Sequence, residues 1–344
     1  MSSLVEVRNL VKDYPLKTGL IATLTGGVRV AHAVSDIDLD IAPGEIVGVV
    51  GESGSGKTTL GKVLVRLEQA TGGQVRFDGR PLGGLRGQAR KQFHRDVQMI
   101  FQDPYDTLNP RLTIFGNVEL PLRYLGIGTS GADRRRRVME ALELVELNPP
   151  EQFANRYPHQ LSGGQRQRVA IARALIVNPR FLVADEPVSM LDVSIRAGVL
   201  NLLKRLNGEL GIAMMLITHD LTTAYYLSHR IAVMYLGKVV ELSAGPALIG
   251  HPVHPYTRLL LESAPDLMRE VVDRPPLSAE TANAIAPPAG CRFAPRCPYV
   301  IDVCRQVDPA LQPADSGRQV ACHRAADLTP AAPWPQSSEQ QPER

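Results

Sequence analysis

The chain has 344 residues, enough for two domains or for one large domain with an appendage. Its 38 Lys and Arg residues nearly balance 35 Asp and Glu residues, and this net charge of +3 excludes a disordered polyelectrolyte and gives no overall field for binding nucleic acid. Hydrophobic residues make up 44% of the chain, enough for a sizeable core. No apolar run approaches the roughly 20 residues of a membrane span, and the first ten residues lack a secretion signal, so we do not expect secretion.

Strand patterns fill the first 50 residues. Apolar and polar positions alternate at 4–14 and 34–41, and a continuous apolar run, Ile46–Val50, follows a Pro-Gly turn. From residue 57 to 68 the apolar positions change to helical spacing. A buried strand, a glycine-rich loop and a helix form the opening unit of an α/β fold.

Helical spacing dominates residues 103–178, which we predict to form a helical subdomain. Buried strands return at 181–184 and 213–218 with a helix between them, which predicts a parallel sheet with right-handed crossovers. Beyond residue 250 the proline content rises and the periodicity is lost. We therefore expect four units: a main domain at 1–250, a Pro-rich linker with an HPYT segment at 251–289, a four-cysteine module at 290–325 and a disordered tail at 326–344.

The segment Gly51–Thr58, GESGSGKT, fits the phosphate-binding pattern G-x-x-x-x-G-K-[ST]. It lies between a predicted strand and a predicted helix, the context that distinguishes this motif from an ordinary glycine-rich turn. Glycines allow the backbone N–H groups to surround a phosphate, Lys57 reaches the β- and γ-phosphates, and the Thr58 hydroxyl binds Mg²⁺. The predicted phosphate-binding residues are Gly51, Ser53, Gly54, Gly56, Lys57, Thr58 and Thr59.

The apolar strand at 181–184 is followed by two carboxylates, Asp185 and Glu186. Asp185 stands at the carboxyl end of the strand, where it can hold Mg²⁺ through water. Glu186 points differently and can polarise an attacking water. In isolation this pattern is weak, because surface loops are often acidic; after a phosphate loop it is strong.

A second anion site is predicted at Ser162–Gln165, where Ser162, Gly163, Gly164 and Gln165 begin an amphipathic helix. A plain helix cap would have the same sequence. However, a chain with one phosphate loop binds one triphosphate, so a second phosphate-binding helix start is most simply explained as contacting the nucleotide of another subunit.

Six motifs occur in the order found in ABC transporter ATPase subunits, which residues 4–250 resemble. They are the phosphate loop, Gln102 in FQDPYDTLNP, LSGGQRQR, VADEP, SMLD at 189–192 and ITHD at 217–220. The HPYT segment at 254–257 and the cysteine segment resemble the carboxyl-terminal extension of dipeptide/oligopeptide permease ATP-binding subunits. The VKDYPLKTGL opening and the IFQDPY…LNPR segment look like the second of that family's two ATPase subunits. The resemblance implies an α/β fold: a P-loop NTPase domain of ABC type with a helical subdomain, plus a small cysteine module.

The resemblance also implies roles for individual residues around ATP and Mg²⁺. Tyr14 would stack on the adenine, Gln102 would touch Mg²⁺ or the attacking water and sense the membrane subunit, and His219 would contact the γ-phosphate. Asp192 would cross the interface to the second ATPase. Catalysis would then rest on Glu186, His219 and Gln102, and Mg²⁺ would be bound by Thr58, Gln102 and Asp185.

The implied activity is ATP hydrolysis that drives uptake of di- or oligopeptides, from the cytoplasmic face of the membrane. Its partners would be a second ATPase subunit (a sister or an identical chain), two transmembrane permease subunits and, indirectly, an extracytoplasmic substrate-binding protein. Related importers carry nickel or glutathione, so other cargoes stay open. A soluble ABC-type ATPase acting on nucleic acid or ribosomes is the other class; a single ATPase half, the lack of a heptad run and the near-neutral charge disfavour it, and we expect no nucleic-acid partner.

All four cysteines lie within the predicted module, at Cys291, Cys297, Cys304 and Cys322. Such clustering in a protein of the cytosol indicates a metal site more than a disulfide framework. The spacing C-x5-C-x6-C-x17-C does not choose between zinc and an iron–sulfur cluster, and four free buried thiols are a third alternative. Resemblance to the permease extension implies a [4Fe–4S] cluster.

Overall fold

A computed structural model describes residues 3–16, 30–262, 285, 287–315 and 317–328, and two β-sheets form its framework. The smaller sheet is antiparallel, in the order β2-β1-β4-β5. Its strands are β1 (Val5–Pro15), β2 (Val30–Ile41), β4 (Gly72–Phe77) and β5 (Arg80–Pro81). The strands predicted in the first 50 residues are thus confirmed.

The larger sheet has eight strands, in the order β11-β12-β10-β9-β3-β8-β7-β6. Its strands are β3 (Ile46–Val50), β6 (Val97–Ile100), β7 (Phe181–Asp185), β8 (Ala213–Thr218), β9 (Arg230–Tyr235), β10 (Lys238–Ala244), β11 (Gln312–Asp315) and β12 (Arg318–Val320). The five strands from β9 to β6 are parallel, as predicted. Every residue of β3, β7 and β8 is buried, which explains their continuous apolar runs.

Helices connect the successive parallel strands of the larger sheet, because parallel strands require crossover connections. They are α1 (Lys57–Leu64), α2 (Gly87–Asp96), α3 (Pro104–Thr107), α4 (Ile114–Leu125), α5 (Gly131–Leu144), α6 (Pro150–Ala154), α7 (Gly163–Leu175), α8 (Val193–Leu210), α9 (Leu221–Leu227), α10 (Gly245–Gly250), α11 (Pro255–Glu262) and α12 (Asp302–Gln306). Helices α3 to α7 lie within the predicted helical segment 103–178. Among the described helices, none is both long and apolar enough to cross a bilayer.

Buried apolar side chains on both faces of the larger sheet hold these layers together. One cluster joins α4, α5, α7 and α8 to the sheet, and a second fills the space between the two sheets and α1. Apolar layers therefore cover both faces of the parallel strands. The carboxyl ends of these strands lie together at one edge of the sheet, and α/β folds bind their ligands at that edge.

The carboxyl-terminal extension joins the larger sheet directly. β12 pairs with β10 in antiparallel register, and β11 pairs with β12. Residues 255–262, part of the predicted linker, instead form α11, whose Pro255, Tyr256 and Thr257 are buried. Proline at the first position of a helix is favourable, so the proline content there did not indicate a linker. The rest of the linker (263–284 and 286) and most of the predicted tail (329–344) lie outside the described residues.

Candidate nucleotide-binding site

The phosphate loop connects the end of β3 to the start of α1. Two of its glycines have positive φ and close neighbours: a Cβ on Gly51 would lie 2.1 Å from the Met234 carbonyl oxygen, and one on Gly56 would lie 2.0 Å from that of Ala33. No other residue fits either position without moving backbone. Ser53 and Gly54 lie exposed at the tip of the loop, where a ligand can reach them.

Lys57 folds back over this loop. Its Nζ donates hydrogen bonds to the carbonyl oxygens of Gly51 and Glu52, both at 2.8 Å. Burial lowers the pKa of Lys57, while the nearby carboxylates of Glu186 and Asp185 act in the opposite direction. The first turn of α1 thus carries a cation beside unpaired helix N–H groups, an arrangement that attracts phosphate.

Thr58 and Asp185 meet between α1 and β7. The Thr58 hydroxyl donates to Asp185 Oδ1 at 3.0 Å. Asp185 is buried, and burial raises the pKa of its carboxyl although the Thr58 hydrogen bond opposes this. Two oxygen ligands therefore lie side by side next to the loop, and oxygen is the ligand that Mg²⁺ prefers.

Glu186 contacts the other two residues predicted to be catalytic, Gln102 and His219. Its carboxylate accepts a hydrogen bond from Gln102 Nε2 at 3.0 Å and contacts His219 Nδ1 at 3.1 Å. These residues follow β7, β6 and β8, so three neighbouring strands converge on one carboxylate. Glu186 has a φ of +45°, a left-handed backbone that is unfavourable for glutamate and that the surrounding structure must hold in place.

Ser162 caps α7 in this chain. Its hydroxyl accepts from the Gln165 N–H at 3.3 Å, and the Gln165 side chain accepts from the Ser162 N–H at 3.0 Å. A Cβ on Gly164 would lie 2.4 Å from Ile195 Cγ2, so α7 packs tightly on α8 at this point. The reciprocal cap satisfies two N–H groups, and Ser162 itself stays exposed.

Two further predicted residues stand apart from the Glu186 carboxylate. Tyr14, near the end of β1, is half-buried beneath Lys12, whose Nζ is 4.6 Å from the ring centroid. Asp192 is exposed at the start of α8 and makes no side-chain cap there. In the described ranges no hydrogen bond joins Tyr14, Asp192 or Ser162 to the phosphate loop.

Sequence reasoning missed two contacts between the phosphate loop and the extension. The Glu52 N–H donates to the Tyr256 hydroxyl at 2.8 Å, and Arg296 donates two hydrogen bonds to the Glu52 carboxylate, at 3.0 and 3.1 Å. The HPYT segment carries a family resemblance but no local signal of these contacts. Its burial depends on the packing of α11 beside β9, where the Tyr256 ring lies against that of Tyr235.

The four cysteines are free thiols close to one another. Burial raises the pKa of Cys297 to about 12 and that of Cys322 to about 11, and the neighbouring thiols add to both effects. The Cys291 N–H donates to the Cys304 carbonyl oxygen at 2.8 Å, which joins two of the segments. Within the part of the chain that the structure describes, no group of three or more His, Cys, Asp or Glu side chains is arranged to hold a metal ion, so the predicted metal module receives no support here.

The fold and the site define an ATP-binding cassette of the ABC type. Residues 34–189 match the family described as ABC transporter, and residues 240–304 match the family described as oligopeptide/dipeptide transporter, C-terminal region. The chain belongs to the ATP-binding proteins of ABC transporters and has the carboxyl-terminal region of the oligopeptide/dipeptide group.

Individual relatives cover nearly the whole chain. The probable peptide ABC transporter ATP-binding protein y4tS of Sinorhizobium fredii is 44% identical over 96% of this chain and 94% of its own. The putative oligopeptide transport ATP-binding protein YkfD of Bacillus subtilis is 46% identical over 87% of this chain and 91% of its own. Among solved structures, the dimeric cassette MJ0796, in a post-hydrolysis state bound to ADP and Pi, is 37% identical with a TM-score of 0.61, over 70% of this chain and 98% of its own.

Proposed function

We propose that this ABC ATPase works at the cytoplasmic face of a membrane and energises the uptake of di- or oligopeptides. The observation that carries the proposal is that one chain joins the nucleotide site to the carboxyl-terminal region found in oligopeptide/dipeptide transporters. The names of its relatives, which cover nearly all of the chain, agree with peptide as the cargo.

The ATP site would use the residues around the phosphate loop. The loop amides and Lys57 bind the phosphates, and Tyr14 stacks on the adenine. Glu186 orients the attacking water. Gln102 and His219 contact the Glu186 carboxylate and hold that carboxylate in place. His219 also contacts the γ-phosphate, and Gln102 contacts Mg²⁺ or the attacking water. Positioning and electrostatics of this kind carry most of the catalysis of phosphoryl transfer.

Mg²⁺ fits beside this loop. Thr58 and Asp185 bring two oxygen ligands to within 3.0 Å of each other, and Gln102, after the neighbouring strand, would add its amide oxygen. When bound, the ion neutralises charge on the phosphate oxygens. Asp185 would hold it through water, and the Thr58 hydroxyl would bind it directly.

A second ATPase subunit would complete the site. Ser162–Gln165 presents a helix start with an exposed hydroxyl, and Asp192 is exposed without a cap role in its own chain. Both would contact the nucleotide or the loop of a partner chain. The assembled complex would include two permease subunits that contact the helical subdomain at 103–178, within a nucleotide-binding domain at 1–250.

A peptide uptake experiment tests the proposed function. Cells in which the natural chain is replaced by Lys57→Ala should lose uptake of labelled di- and oligopeptides, because nucleotide binding is removed. The complex purified from the same membranes should contain permease subunits. Loss of nickel or glutathione uptake with normal peptide uptake would overturn the cargo, and recovery of the chain with ribosomes instead of permeases would overturn the class.

We also propose a [4Fe–4S] cluster for Cys291, Cys297, Cys304 and Cys322. Four neighbouring thiols, of which Cys304 is buried and the other three are half-buried, are the ligand set that such a cluster takes. The spacing of the four cysteines leaves zinc as the alternative, and the resemblance of this segment to the permease extension favours the cluster. When bound, the cluster would supply cross-links among the cysteine segments.

Anaerobic purification distinguishes the alternatives for this site. The protein should be brown with close to four irons per chain, and Cys297→Ser should bleach it and create new protease sites in 287–325. A colourless protein with one zinc per chain would refute the iron–sulfur proposal. Absence of any metal in protein never exposed to air would refute both metals.

A further inference from the structure

The carboxyl-terminal extension contacts the phosphate loop at one residue, Glu52. Its backbone N–H is bound to the Tyr256 hydroxyl, and its carboxylate is bound to both Nη atoms of Arg296. On the opposite side of the same residue, the Glu52 carbonyl oxygen accepts from Lys57 Nζ. The residue that follows Gly51 is thus fixed through its N–H, its side chain and its C=O.

Tyr256 and Arg296 are themselves held rigidly. Tyr256 is 0% exposed, and its ring lies 4.6 Å from that of Tyr235 and 5.5 Å from that of Phe293, centroid to centroid. The Arg296 side chain is 15% exposed and lies against the same rings, 5.8 Å from Tyr235 and 5.7 Å from Phe293. Since Tyr235 ends β9, the strand next to β3, these contacts tie the loop to the sheet from which it emerges.

If the phosphate loop is already ordered in the empty protein, phosphate binding does not have to offset the entropy cost of ordering its backbone. Fixing the backbone of one residue costs conformational entropy, so contacts that order Glu52 in the empty protein raise the affinity for phosphate. Ser53 and Gly54, the next two residues, are exposed. Glu52 is thus the residue through which the extension orders the start of the loop, beside the hydrogen bond from Lys57 Nζ to the Gly51 carbonyl oxygen.

We propose that Tyr256 and Arg296 are positioning residues for ATP binding, which hold the start of the phosphate loop through Glu52 without touching the nucleotide. The inference rests on the proposed ATP site. The carboxyl-terminal extension thus contributes to ATP binding through α11 and the Ala294–Arg296 turn, in addition to carrying the four cysteines.

Two substitutions test this without changing the charge of the loop. Tyr256→Phe removes only the hydroxyl, and Arg296→Lys keeps the cation but loses the two-pronged contact. Each should weaken ATP binding to the full-length chain by about 3- to 10-fold, the equivalent of one hydrogen bond. In the assembled transporter KM for ATP should rise by a similar factor while kcat stays unchanged, because neither residue contacts the reacting atoms.

The control is an ion pair of the same geometry at the other end of the sheet. Arg180, which precedes β7, donates two hydrogen bonds to Asp78 at 2.8 and 3.1 Å. Arg180→Lys should leave ATP affinity unchanged. An equal loss in this control would overturn the inference, because it would show a general effect of lost ion pairs.

Other outcomes separate the inference from the function on which it rests. If Tyr256→Phe fails to fold, Arg296→Lys decides alone, since the Arg296 side chain is partly exposed whereas Tyr256 is fully buried. ATP affinity equal to that of the natural chain in the folded variants overturns the inference. Failure of the natural chain to bind ATP, or unchanged binding in Lys57→Ala, overturns the proposed ATP site instead.

Discussion

Glu186 is the residue on which the candidate site converges. It follows a fully buried strand, adopts a left-handed backbone and contacts both Gln102 and His219. A hydrogen bond from its N–H to the Ile217 carbonyl oxygen, at 2.8 Å, fixes this backbone against β8. The carboxylate is therefore held at the edge of the sheet rather than free on a loop.

Replacing Glu186 by Gln separates binding from hydrolysis. The amide keeps the shape and the contact to Gln102 but removes the charge that we propose orients the attacking water. We expect ATP binding to stay near its natural value and kcat in the assembled transporter to fall by about 100-fold or more. Full ATPase activity in this variant would show that another group orients the water.

His254 is the buried titratable group whose effect on stability is clearest in sign. It is 1% exposed, its Nδ1 accepts from the Tyr256 N–H, and burial lowers its pKa to about 3. Between pH 6.5 and 3 the unfolded chain binds a proton there that the folded chain does not. Stability is therefore lost as pH falls through this window.

A substitution makes this pH dependence measurable. His254→Asn keeps an acceptor for the Tyr256 N–H but does not titrate. The free energy of unfolding of the natural chain should fall more steeply below pH 6.5 than that of the variant, by at most about 1.4 kcal/mol per pH unit. His159→Asn, at an exposed histidine, serves as the control and should leave the slope unchanged.

Among the helices, α7 begins with a cap whose serine, Ser162, we also expect to contact a partner's nucleotide. Ser162 caps α7 by the same geometry with which Ser130 caps α5, where the Asp133 N–H donates to the Ser130 hydroxyl at 3.1 Å. Loss of either cap destabilises its helix by about 1 kcal/mol. Only Ser162 is expected to contact the nucleotide of a partner.

This pair of caps gives a matched test. Ser162→Arg should abolish the ATP-dependent association of ATPase subunits while leaving ATP binding by the single chain intact. Ser130→Arg should lose the same cap energy with no effect on association. Chemical cross-linking with and without ATP measures both, and normal association of Ser162→Arg would mean that α7 has a cap and no second phosphate site.

At the scale of the whole molecule, the extension and the ATPase domain share a buried ion pair. Glu241 on β10 is 0% exposed, and Arg318 on β12 approaches its Oε1 to 3.8 Å. The Glu241 carboxylate also accepts from the N–H groups of Val253 and His254, at 3.1 and 2.9 Å. One carboxylate thus organises β12 and the start of the HPYT segment around β10.

Removing the Arg318 cation should leave that carboxylate buried without its partner charge. We expect Arg318→Met to lower the free energy of unfolding by about 3–5 kcal/mol. Adding Glu241→Gln should recover part of this loss, because the remaining group is neutral. Denaturant unfolding of the single and double variants checks the expectation, and additive losses would contradict it.

The sequence alone determined the ATPase core, because its signals are local. The phosphate loop lies directly between a strand and a helix, and Asp185 and Glu186 directly follow a buried apolar run, so spacing along the chain predicted both the parallel sheet and the residues at its edge. Only the tertiary structure decided how the carboxyl-terminal third is attached. Proline-rich spacing indicated a linker and a separate module, whereas α11 and β12 pack onto β9 and β10. Tyr256 and Arg296 reach Glu52 across 204 and 244 positions of the chain, and contacts of that range arise from packing, which no local pattern encodes.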